Sequence, residues 1–212
     1  MLELPDKKSA GVRAQRKAER PKEILDAAFE VFVEHGYAAA RVEDIAERIG
    51  VTKGTVYFYF ETKERLFEET LRHASASFTD VSAYCRTLEG PYAERIKAFV
   101  RMVYARIATD RNSRELLRFV IADGPRFPQV LDRHCAEQIE PMFAAAGELF
   151  AAGVAAGELR DSPMLKFPEI CLGPSILMII SHLIFADRKP LDTEGFIDAH
   201  IDLLLNGMLV KS

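Results

Sequence analysis

The sequence predicts an all-α chain, a small three-helix, helix-turn-helix head followed by a larger helical body. Three observations carry this. There are no alternating Val/Ile/Thr runs and no Asn-Gly hairpin turns, so strand signals are absent. Apolar residues instead recur at helical spacing along most of the chain. Residues 36–63, GYAAARVEDIAERIGVTKGTVYFYFETK, read as two short helices joined by a tight turn.

The first helix, expected over about residues 20–35, presents Leu25, Ala28, Phe29 and Phe32 on one face and stops at His35-Gly36-Tyr37. In the second, Val42, Ile45, Ala46 and Ile49 fall at i, i+3, i+4 and i+7, one apolar face. Gly50 supplies the positive φ of a sharp turn, and Thr52 is placed to cap the third helix. On that third helix Val56 and Phe60 share one side, while Gly54, Thr55 and Phe58 lie opposite and Tyr57 and Tyr59 flank them. Aromatic side chains turned away from a core need a partner. The geometry suits a recognition helix in the major groove of DNA.

A fourth helix is expected from the N-cap Thr62, with Glu64 near its positive end, to about Cys85. Gly90-Pro91 then breaks the chain. Helices are expected over 91–109, 112–122 and 127–156, with Asp123-Gly124-Pro125 separating the last two and Gly157 ending the third. Lys166-Phe167-Pro168 opens a helix to about Phe185, and 192–209 closes the chain.

At 212 residues and 49% hydrophobic content the chain can bury a substantial core. Its net charge of −4 argues against a generic nucleic-acid coat, yet residues 1–22 carry +4 and the rest −8. Residues 1–19 therefore read as a flexible basic arm able to reach phosphates, or, for the part before Arg13, as a solubilising tail. Cys85, Cys135 and Cys171 show no metal or redox spacing and read as reduced, buried thiols of a cytoplasmic protein. No signal peptide follows the early lysines. The longest uncharged stretch, Ile170–Ala186, falls short of the about 20 residues a membrane span needs, so a helix buried against protein is expected.

The segment from Arg20 to Leu71, and above all VEDIAERIGV, TKGTVYFYF and KERLF, resembles the DNA-binding domain of the TetR/AcrR family of bacterial transcriptional repressors. About a quarter of the chain carries this match. The resemblance implies a DNA-binding domain over 20–66 and an effector-binding and dimerisation domain over 67–212. It implies that Lys53, Gly54, Thr55, Tyr57, Phe58 and Tyr59, with Thr52 at the helix start, meet operator DNA, and that Lys63 contacts a phosphate. One departure is visible. Where the family commonly places Thr or Ser before the second helix, this chain has Ala39-Ala40-Arg41, so the capping hydroxyl is missing and Arg41 is expected to reach phosphate instead.

The resemblance also implies a small-molecule effector among the body helices and release of DNA on binding. Phe78, Tyr84, Phe99, Met102, Tyr104, Phe119, Met142, Phe143 and His182 are candidates to line its site, though an aromatic or methionine at helical spacing is more often plain core; their character points to an apolar or aromatic effector. The last two helices, about 167–186 and 192–209, are broadly apolar and either fill the core or form half of a four-helix bundle completed by a twofold mate. A homodimer is expected, since one helix-turn-helix reads few bases. His134-Cys135 lacks an orienting carboxylate, the histidines lack metal spacing and no phosphate loop occurs, so no catalytic residue, metal or cofactor is expected. A scaffold that had lost operator specificity would have no use for the outward aromatics.

Overall fold

This structure, a computed structural model, describes residues 7–185 and 188–209, with the side chains of 7–17, 76–79 and 164 outside the description. Among the described residues there is no strand, only an isolated bridge between Leu159 and Leu209. The chain divides between His73 and Ala74 into two compact units, rather than after residue 66.

The first unit contains α1 (Lys7–Ala39), α2 (Val42–Arg48), α3 (Lys53–Tyr59) and α4 (Lys63–Ala74). Its core is Ile24, Ala28, Phe29 and Phe32 of α1, Val42, Ile45 and Ala46 of α2, Val56 and Phe60 at α3, and Leu66, Phe67 and Leu71 of α4. Leu25 is only half-buried; Ile24 takes its place. Helix α1 begins at Lys7, not near residue 20, because the Lys-, Arg- and Ala-rich run before Pro21 favours helix. The arm expected over 1–19 is thus helical from Lys7, and residues 1–6 lie outside the described residues. The helix breaks at Gly36 (φ 71°, ψ 166°), a conformation open essentially to glycine alone. Beyond that break the Tyr37 ring packs 4.8 Å from Phe67, and its hydroxyl donates to Glu64 at 3.0 Å. Arg48 grips Glu34 with two bonds of 2.7 and 2.8 Å, joining α2 to α1.

The second unit contains α5 (Ala76–Thr87), α6 (Tyr92–Val103), α7 (Arg111–Ala122), α8 (Pro128–His134), α9 (Glu140–Ala155), α10 (Pro168–Phe185) and α11 (Thr193–Met208). The single helix expected from 62 to 85 is broken at Ser75, whose buried hydroxyl meets His134 Nδ1 at 3.2 Å. Two π-helical turns, Tyr104–Ala108 after α6 and Cys135–Ile139 between α8 and α9, widen what the sequence suggested were plain helices. At the first, the Tyr104 hydroxyl bonds His200 Nδ1 of α11 at 2.9 Å. Cys85 and Cys171 are buried, which pushes both thiols up to about 11. Cys135 is exposed, contrary to expectation, because α8 and the turn after it bury no residue fully.

Helix α10 is long and apolar enough to cross a membrane by length and composition. It is not buried all round as expected. Cys171, Leu172, Ser175, Met178 and Ile179 face the body core, while Ile170, Leu177 and Ile184 are exposed.

Candidate nucleic-acid interface and body cavity

Helix α3 is short, so its orientation depends on its ends and its buried side. Thr52 accepts a bond from Thr55 N at 3.1 Å, capping the helix as its position suggested. Gly50 (φ 65°) makes the turn from α2. Val56 is fully buried and Phe60 nearly so, while Phe58 is 73% exposed between half-buried Tyr57 and Tyr59. The outward face therefore carries Lys53, Gly54 and Phe58, with Thr55 and the tyrosines beside them. A Cβ at Gly54 would meet only Thr52 Oγ1, at 3.7 Å, so no neighbour within the chain demands a glycine there. The bare backbone serves whatever approaches from outside.

The cations around this face are held in different ways. Lys53 Nζ bonds Glu43 at 2.7 Å, which raises the lysine pKa and, chiefly through the same bond, lowers that of Glu43. Lys63 Nζ donates to Ala38 O at 3.4 Å and sits 4.6 Å from the Tyr37 ring centroid, so it closes the end of α1 while its ammonium stays near the surface. Arg41 occupies the N-cap of α2 without a side-chain capping bond, as its sequence implied, and its side chain is exposed. Thr62 caps α4 through Arg65 N at 3.0 Å. All nine residues expected at DNA lie within this head, around α3 or at the starts of α2 and α4.

The body holds a cavity of about 320 Å³. Ile107, Leu116, Leu117, Val120, Leu131, Ile139, Ile176 and Ile179 wall it with aliphatic carbon, and Ser113, Asp132, His134 and Cys135 supply its polar atoms. Both π-helical turns contribute. His134 and Cys135, adjacent where α8 passes into the second of these turns, both line the space. Burial pushes the His134 pKa down, against a weaker opposing pull from Glu137.

None of the described residues expected at an effector lines this cavity. Phe99, Tyr104, Phe119 and Met142 are buried in the core, Tyr84 is exposed, and Met102, Phe143 and His182 are partly buried elsewhere. The side chain of Phe78 lies outside the described residues. Sequence reading missed the cavity because it sought aromatics and methionine, whereas the walls are Ile, Leu and Val. The amphipathic repeat Ser113, Leu116, Leu117, Val120 was the available signal.

Comparison with known proteins agrees with this arrangement. Residues 24–70 match the model of bacterial regulatory proteins of the tetR family, and residues 94–165 match the C-terminal domain of AefR-like transcriptional repressors. The transcriptional repressor NicS of Pseudomonas putida is 28% identical over 191 residues, covering 82% of this chain and 78% of that one. A TetR-family regulator from Mesorhizobium loti superposes with a TM-score of 0.75 at 25% identity, covering 92% of this chain and 99% of that one. The regulator FadR of Bacillus subtilis, solved with stearoyl-CoA, shares the fold at 19% identity and a TM-score of 0.70, with 88% and 98% covered. With its capped third helix, outward aromatics and matched body, the chain belongs to the TetR family of bacterial transcriptional regulators.

Proposed function

We propose that the protein is a homodimeric, ligand-responsive repressor that binds a palindromic operator in the cytoplasm and is released by a small apolar effector. The observation that carries the DNA reading is the split character of α3. Val56 and Phe60 are buried in the head, while Phe58 and Gly54 face outward with no structural need to do so, beside Lys53 in its surface pair with Glu43. Phosphate contacts from Arg41, Lys63 and the tyrosine hydroxyls would fix register, and Lys53, Thr55 and the rings would meet base edges or thymine methyls. Arg41 and Lys63 suit the first role because neither is committed to a carboxylate by any bond described.

A second copy is supported by α10, whose Ile170, Leu177 and Ile184 stand exposed. The effector reading is supported by the aliphatic cavity of the body and by relatives whose structures hold small molecules, stearoyl-CoA in one and choline in another. A ligand that binds one conformation of the body more tightly shifts the DNA-binding equilibrium by that difference.

The test is salt-titrated binding to DNA from the region upstream of the protein's own gene. Expected are a steep fall of affinity with salt and a large specific-to-nonspecific ratio. A shallow slope with no preference for that DNA would overturn the reading.

A further inference from the structure

The body cavity contains an unusual polar atom. Ser113 lies in the first turn of α7, where its backbone N–H donates to the capping Asp110 at 2.7 Å. Its side-chain hydroxyl is buried, the residue is 2% exposed, and the oxygen has no hydrogen-bond partner. A buried hydroxyl left unpaired is destabilising and calls for an explanation. Ser113 lines the cavity, so a guest bearing a hydrogen-bonding group would supply one.

The remaining walls say what the rest of the guest must be. Ile107, Leu116, Leu131, Ile139 and Ile179 offer only hydrocarbon. The lining contains no lysine or arginine, His134 is driven toward its neutral form by burial, and Asp132 adds a carboxylate. An ionised acid group placed against buried Ser113 would lose its water without meeting a counter-charge, and at the exposed rim it would face Asp132. An uncharged head group meets neither penalty.

We propose that this cavity binds an uncharged amphiphile of the medium-chain alcohol class, its hydroxyl paired with Ser113 and its hydrocarbon packed on the aliphatic wall. At about 30 Å³ for each non-hydrogen atom, the volume a water takes in the liquid, the cavity's about 320 Å³ holds on the order of ten. One 1-octanol molecule, with fewer non-hydrogen atoms than that, has room there. Service of such a molecule as the effector rests on the regulator reading above; its occupancy of the cavity does not.

The experiment is calorimetry on the full chain without DNA, using 1-octanol and octanoate as a pair that differs in head group. Saturable binding of one octanol per chain is expected, with octanoate at least about tenfold weaker because its charge is unpaired. Ser113→Ala is expected to weaken octanol by roughly three- to tenfold, the worth of one neutral hydrogen bond. It should leave the melting temperature unchanged or raised, since no bond within the protein is lost. Val120→Phe, which narrows the space, should abolish binding. Octanoate binding as tightly as octanol, an unchanged octanol affinity in Ser113→Ala, or no saturable binding by the native chain would overturn the proposal. Adding octanol to the salt-titrated DNA assay then separates the two readings. Octanol that binds without weakening the DNA complex leaves the site standing and removes its effector role. Specific DNA binding by a chain that takes up no octanol keeps the regulator and removes the site.

Discussion

At the scale of single residues, α3 presents two kinds of group that are separable by mutation. Tyr57 is half-buried, with Lys53 Nζ 5.5 Å from its ring centroid. If its hydroxyl binds a phosphate, Tyr57→Phe keeps the ring packing and should cost about 1.5–3 kcal/mol of operator affinity, the range for a bond to a charged group. Tyr57→Ala should cost more, and equal affinities for all three proteins in a filter-binding titration would remove Tyr57 from the interface. Glu43 offers the converse test. It occupies Lys53 and adds negative charge beside the face that phosphates would approach. If the freed ammonium turns to a phosphate rather than a base edge, Glu43→Gln is therefore expected to strengthen DNA binding at low salt and to steepen log affinity against log salt by about one unit for each protomer bound. An unchanged slope would show that Lys53 does not turn to a phosphate.

At the scale of elements, short helices depend on their turns. Gly50, at φ 65°, has nothing within 4 Å of where a Cβ would stand, so replacing it meets backbone strain and no collision. Gly50→Ala should therefore lower the stability of the head by about 1–2 kcal/mol, the left-handed penalty, in a thermal melt of the full chain. This turn, the Thr52 cap and the sides of α2 and α3 were legible in the sequence because each rests on contacts between residues close in the chain. The break at Ser75 and the π-helical turns were not. The break at Ser75 and the turn at Tyr104 carry no glycine or proline and settle partners distant in sequence, Ser75 with His134 and Tyr104 with His200. The turn at Cys135–Ile139 instead runs into Pro141, a signal in the sequence that the reading passed over. The Tyr104 pair predicts a pH dependence. Burial pushes Tyr104 up to about 12, so its hydroxyl stays protonated in the bond to His200 Nδ1. Burial also holds the His200 pKa below the ordinary 6.5. The unfolded chain then takes up its proton first, so stability is lost as pH falls below 6.5 toward the folded value. His134 acts with the same sign. Denaturant melts should show a loss on the order of 1 kcal/mol per pH unit through that window, and His200→Gln should shrink it.

At the scale of the whole molecule, the unsettled question is what covers α10. Its exposed Ile170, Leu177 and Ile184 recur every seven residues, with Gly173 and half-buried Ile180 between them at the alternate seam positions. A heptad stripe of this kind is the seam by which two helices pack at a shallow angle. Nothing lies within 4 Å of a Cβ built on Gly173, so the seam has room for a close neighbour at its middle. Leu203 of α11, 70% exposed, is a further apolar residue at the surface. The sequence showed that α10 was apolar nearly all round and that α11 carried a broad apolar stripe, but not which face the body would use. That depended on Cys171, Met178 and Ile179 finding partners inside. A stable interface needs about 800 Å² from each partner, which two helices of this length can supply where one could not. A twofold pair also carries two copies of α3, one for each half-site of an operator whose halves lie one turn, about 34–36 Å, apart. Leu177→Glu places a charge at the centre of the seam, on a residue the body core does not use. The variant should therefore sediment as a folded monomer with unchanged helicity, and bind the operator at least about tenfold more weakly because each head then binds alone. A native chain that sediments as a monomer, or a Leu177→Glu chain that stays dimeric, would place the interface elsewhere and leave this stripe without its partner.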